Sequence, residues 1–164
     1  MAQDQAEQTA AQQRRLRRGV IAAVLVILLI APFLVVAGFS IATRTMFVRM
    51  EAEVGSARGV EARYDAFEHA YASGVMAVLF GDTLASIAGH AVEIVEQNDC
   101  VEREHDLINN REGRALALRL DAVDRPDWRR RFARILFEEL RQPGTTFSVL
   151  RTRDPRVLAI CVSD

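Results

Sequence analysis

The chain has 164 residues, with 21 basic and 22 acidic side chains and a formal net charge of −1. Every basic residue is Arg, so a Walker A lysine, a Schiff-base lysine and a Ser–Lys dyad are all excluded. Residues 44–164 carry 17 Arg against 20 acids, a balance that argues against nucleic acid as a partner.

In chain order, residues 1–18 form a polar tail that ends in a basic cluster, Arg14, Arg15, Arg17 and Arg18. Residues 19–43 follow as 25 positions without a charge. A helix of that length reaches roughly 37 Å, more than the hydrocarbon core of about 30 Å, so the run is expected to be a transmembrane helix. A cleavable signal peptide is the competing reading, with Ser40-Ile41-Ala42 as a small-x-small cleavage site and Arg17-Arg18 as a twin-arginine outline. The run is longer than a usual h-region, which favours a retained signal-anchor. Four Arg before the run and two after it, Arg44 and Arg49, orient the N-terminus to the cytoplasm. The expected location is therefore a single-pass membrane protein with the lipid bilayer as a partner. Its C-terminal domain would be extracytoplasmic, periplasmic in a Gram-negative cell.

Residues 44–59 read as a juxtamembrane helix and linker, with Met46, Phe47 and Met50 at helical spacing and Gly55 and Gly59 interrupting it. The remaining domain spans residues 60–164. Its first helix, from about Val60 to Ala72, sets Tyr64, Phe67 and Tyr71 on one face. Gly74–Phe80 is a short apolar run compatible with a strand or a helical turn. A second helix, ending near Gln97, places Leu84, Ile87, Ala88, Ala91 and Val95 in one apolar stripe and Ser86, His90, Glu93 and Gln97 opposite it.

Asn98–Gly113 is strongly polar and reads as a loop. Arg114–Ala122 alternates, with Leu116, Leu118 and Leu120 on one face of an expected strand. Asp124, Pro126 and Asp127 then open a helix whose buried stripe is Trp128, Phe132, Ile135, Leu136 and Leu140. Thr145–Arg151 and Arg156–Val162 flank Asp154-Pro155 as a hairpin. These elements predict an α+β fold, in which helices cover a short antiparallel sheet and the C-terminal end runs β-α-β-β.

Candidate chemistry gathers in the acid-rich stretch from Glu93 to Asp106, with His90 beside it. His90, Glu93, His105 and Asp106 are possible metal ligands, although no fixed ligand spacing accompanies them and a solvated helix face explains them more simply. Cys100 and Cys161, the only two cysteines, are expected to form a disulfide, with free thiols as the alternative. Cys100 and His105 would act as nucleophile and base only if the fold brought them together. Arg129, Arg130, Arg131 and Arg134 read as a charged outer face balanced by Glu138 and Glu139, or as a phosphate-binding one. Gly55-Ser56-Ala57-Arg58-Gly59 is not a Gly-x-Ser-x-Gly elbow.

No catalytic set and no cofactor motif emerges. The expected function is a non-catalytic interaction or accessory subunit of an envelope membrane complex, such as an assembly, secretion or pilus-like system. The alternative is an extracytoplasmic small-molecule or metal sensing domain, followed by a membrane-tethered enzyme.

Overall fold

The computed structural model describes residues 37–55, 60–120, 126–149 and 154–162, together with Arg17, Val24 and Val26. The chain divides into two compact units, Met1–Phe39 and Ser40–Asp164. In the first unit the described residues are helical. The second is a bundle of helices: α1 (residues 37–54, within the unit from Ser40 on), α2 (Val60–Phe80), α3 (Asp82–Glu96), α4 (Cys100–Arg119), α5 (Trp128–Glu139) and α6 (Pro155–Cys161).

α2 and α4 form the principal pair, α3 lies against both, and α5 and α6 complete the packing. Thr43, Phe47 and Met50 recur at i, i+4 and i+7 on α1, and all three are buried. Phe47 joins a ring cluster with Phe67 at 5.3 Å and Phe137 at 5.5 Å, while Tyr71 stacks on Phe132 at 5.5 Å. Such rings contribute both large buried area and preferred edge-to-face geometry. On α5, Phe132 and Leu136 face this core, as does Leu140 at its C-terminal cap, and Trp128 and Ile135 are half-buried. Around the outside, Arg49, Arg130 and Arg134 all pair with Glu53, at 3.0, 2.8 and 2.8 Å. They hold its carboxyl down at about 2, with Arg134 the largest contributor.

The backbones of α2 and α4 come unusually close. A methyl group added at Gly113 would fall on the backbone of Ala70, and one added at Gly74 would lie 2.8 Å from the Gly113 carbonyl oxygen. Only glycine permits this approach. Between α2 and α3 the chain turns at Gly81, whose φ of 91° is a conformation that favours glycine.

The α+β expectation is overturned, because the described residues contain no strand. Gly74–Phe80 is the last part of α2. The polar stretch after Asn98 is the first part of α4, from Cys100 to Gly113, started by Asp99, whose side chain accepts from the Glu102 N–H at 2.9 Å. The expected strand from Arg114 continues that helix to Arg119; Leu116 is buried while Leu118 is exposed, as helical rather than alternating spacing requires. Ala122 and Asp124 lie outside the described residues.

The expected hairpin is also absent. Residues 145–149 are irregular, and Asp154-Pro155 opens α6, with the Asp154 carboxylate accepting from the Arg156 N–H at 3.0 Å and Pro155 in the first turn. Arg151 lies outside the described residues. Cys100 and Cys161 are joined in a disulfide, with a Cα–Cα distance of 5.7 Å, and it links the start of α4 to the end of α6.

The membrane placement is corrected as well. Among the described residues, no helix is long and apolar enough to cross a membrane. The single-pass and signal-anchor assignments therefore do not stand. Much of the apolar run, residues 19–36 except Val24 and Val26, lies outside the described residues, as do Arg14, Arg15 and Arg18. At the end of the run Thr43 packs into the folded unit, at 1 % exposure.

Candidate metal centre

Beside the aromatic core, α2, α3 and α4 enclose a second, polar interior. α2 supplies Asp65 and His69, one helical turn apart on the same face. α4 supplies His105 and Asp106, then Asn109 and Asn110 one turn on, all buried. Glu93 reaches in from α3, which packs by its small residues: Ala85 is buried, and Gly89 lies so near α4 that an added methyl group would be 3.2 Å from the Asn110 amide nitrogen. This rotation places Glu93 inward and turns the large aliphatic residues of α3 to the surface. The sequence stripe pointed the other way.

The geometry centres on His69. Its Nε2 lies 3.4 Å from Asp106 Oδ1, and its Nδ1 lies 3.8 Å from Glu93 Oε1. One ligand atom each from Asp65, His69 and Asp106 can be chosen so that all lie within 4.8 Å of one another. His105 Nε2 faces Asp65 Oδ2 at 3.2 Å, and its Nδ1 pairs with Ser148 Oγ at 2.9 Å. Ser148 is held in turn by Asn109, which donates to its carbonyl at 3.0 Å and accepts from its N–H at 2.9 Å. The segment around residue 148 is thereby latched onto α4. Arg114, the cation deepest in α4, is engaged elsewhere, with Asp82 at 2.8 Å and Ser73 at 3.4 Å.

Glu93 Oε1 is among the buried atoms of this interior that make no hydrogen bond. Leaving such groups unsatisfied costs about 1–3 kcal/mol each, more when charged. Burial pushes the Glu93 carboxyl up to about 7, opposed by the Asn98 amide, which donates to Oε2 at 3.2 Å. Burial also lowers the pKa of His69, against the pull of Asp65, Glu96 and Glu68. Burial thereby favours the neutral imidazole, the form in which a ring nitrogen can ligate a metal.

Of the four candidate ligands in the sequence, Glu93, His105 and Asp106 are brought together here. His90 is not: it is exposed, with Nδ1 2.9 Å from the Ser86 carbonyl oxygen of its own helix. Cys100 is bonded to Cys161 and so is no thiolate partner for His105. Arg130 and Arg134 are tied to Glu53 on the outer face, while Arg129 lies over the Trp128 ring at 5.4 Å. The sequence reading missed Asp65 and His69. The available signal was their i, i+4 spacing, which puts a carboxylate and an imidazole on one helix face.

No curated protein and no solved structure matches the chain. Residues 25–141, well over half of it, match the family described as a domain of unknown function, DUF6973. That span includes α2, α3 and α4 whole, and with them every residue of the polar interior except Ser148. The chain belongs to the DUF6973 family.

Proposed function

We propose that the domain binds a divalent transition-metal ion reversibly, through Asp65, His69 and Asp106, and responds to its occupancy. The observation that carries this reading is the convergence of two carboxylates and an imidazole in the bundle interior, with Glu93 Oε1 buried beside them and without a hydrogen bond. A dication among these groups offsets the repulsion between carboxylates, which is strong where water is scarce. One imidazole with two carboxylates suits Zn²⁺, Mn²⁺ or Fe²⁺ better than the all-oxygen preference of Ca²⁺ or Mg²⁺.

Two further groups stand where outer support is needed. Glu93 faces the second ring nitrogen of His69, and His105 faces Asp65, the arrangement that orients ligands and sets their basicity. The side chains of Asp65 and His69 are 25 % and 18 % exposed, so an ion here can exchange with solvent. Three protein ligands also leave coordination positions for water or a small molecule. These features favour a responsive site over a sealed structural one.

Isothermal titration of the chelator-treated full chain with Zn²⁺ and with Mn²⁺ tests this. One equivalent should bind, and Asp106→Asn or His69→Ala should weaken binding by about 100-fold or more, while His90→Ala leaves it unchanged. Circular dichroism checks that each variant is folded, and the near-isosteric Asp106→Asn guards against loss of fold. Equal binding by wild type and Asp106→Asn, or no stoichiometric binding by wild type, would overturn the reading.

A further inference from the structure

Among the described residues, the outward face of α3 is an exposed apolar surface that the polar interior does not explain. Leu84, Ile87, Ile94 and Val95 are 57 %, 61 %, 75 % and 79 % exposed, and Leu79 and Phe80 at the preceding corner are exposed too. These six side chains present on the order of 600 Å² of apolar surface, the top of the range for the largest patch on a monomer. It approaches the roughly 800 Å² that each partner gives to a standard interface. No charged residue interrupts the stripe from Leu84 to Val95 along this face. The inner face of α3 is already filled by Ala85, Gly89 and Glu93, so rotating the helix to bury the aliphatic residues would expel Glu93 from the polar interior.

We infer that this face seats a second copy of the same helix across a two-fold axis. The order of residue sizes identifies the occupant. The large residues stand at the two ends of the stripe, Leu84 and Ile87 at one and Ile94 and Val95 at the other, with Ala88 and Ala91 between them. A two-fold axis at the alanines lets two α3 helices cross closely there. It lays Leu84 and Ile87 of one copy over Ile94 and Val95 of the other. Such self-complementarity is what an isologous interface requires. The one acidic side chain in the first turn, Asp82, is paired with Arg114 at 2.8 Å, which limits like-charge repulsion at the rim. The inference stands apart from the metal reading, since none of these residues is a proposed ligand.

The test combines sedimentation with site-specific photo-cross-linking of the full chain. Wild type should be dimeric at micromolar concentration, and Ile87→Glu and Ile94→Glu should each raise the dimer Kd by about 100-fold or more. Both positions are exposed in the folded unit, so the fold should persist by circular dichroism. Val48→Glu, an exposed apolar position on α1, should leave association unchanged. A photoreactive residue at position 87 should link to the region of Ile94 in the second copy, and one at position 91 to the region of Ala88 and Ala91. A monomeric wild type, association that survives both Glu variants, or cross-links to residues 19–36 of the same chain, to lipid or to a different protein would each overturn the inference.

Discussion

Replacing Glu93 by Gln isolates the electrostatic cost of the polar interior. In the folded unit burial raises the Glu93 carboxyl from 4.5 to about 7. A group whose folded pKa lies above its unfolded value holds its proton more tightly when folded. Its favourable contribution is therefore complete below about 4.5 and is lost as pH rises through about 7. At about 1.36 kcal/mol per pH unit, that interval corresponds to about 3 kcal/mol of lost stability in the metal-free protein. Gln keeps the shape and the oxygen that accepts from Asn98 but does not titrate. The stability of Glu93→Gln relative to wild type should therefore rise by about 2–3 kcal/mol between pH 5 and pH 8, on the order of 10 °C in Tm. Urea and thermal unfolding with chelator present, at both pH values, measure this. Parallel pH profiles for the two proteins would refute the placement of Glu93 in a desolvated interior.

Gly113→Ala should destabilise the folded unit by about 3 kcal/mol in urea unfolding, because the new methyl group meets the Ala70 backbone rather than a side chain that can move; a near-neutral result would refute the close crossing. Phe132→Ala should cost about 3–5 kcal/mol, since its ring is fully buried against Tyr71, and an unchanged Tm would place it outside the core. Reduction of Cys100–Cys161, or Cys161→Ser, should lower stability by about 4 kcal/mol for a sequence separation of 61, read from the urea midpoint with and without reductant.

What the sequence could convey depended on which groups the interior accepts. α5 is legible because Phe132, Leu136 and Leu140 recur at helical spacing and face an apolar core. α4 is hidden for the opposite reason. His105, Asp106, Asn109 and Asn110 are among its buried residues, so polarity, which usually marks surface or loop, here marks the inside. α3 misleads in the same way: its apolar stripe is real, but the inward face is chosen by Ala85, Gly89 and Glu93. At the C-terminus, Asp154-Pro155 carries one signal with two meanings, since a turn and a helix start both favour that pair, and only the fold decides between them. The candidate ligands Glu93, His105 and Asp106 were visible as a local cluster. Asp65 and His69 were not, because they join that cluster through the crossing of α2 with α4 and not through sequence proximity.

The disulfide gives this architecture a covalent topology. It closes the chain from Cys100 to Cys161 into a ring that contains α4, α5 and α6, and with them His105, Asp106 and Ser148. Asp65, His69 and Glu93 lie on the linear arm that leads into the ring. The candidate metal centre thus draws its side chains from both sides of the boundary between a closed and an open segment. A single backbone cut inside the ring leaves every ligand on one covalent molecule, whereas a single cut between Glu93 and Cys100 separates Asp65 and His69 from Asp106. Oxidation therefore places one half of the site on a closed ring, while the other half is joined to it only through the chain between Glu93 and Cys100.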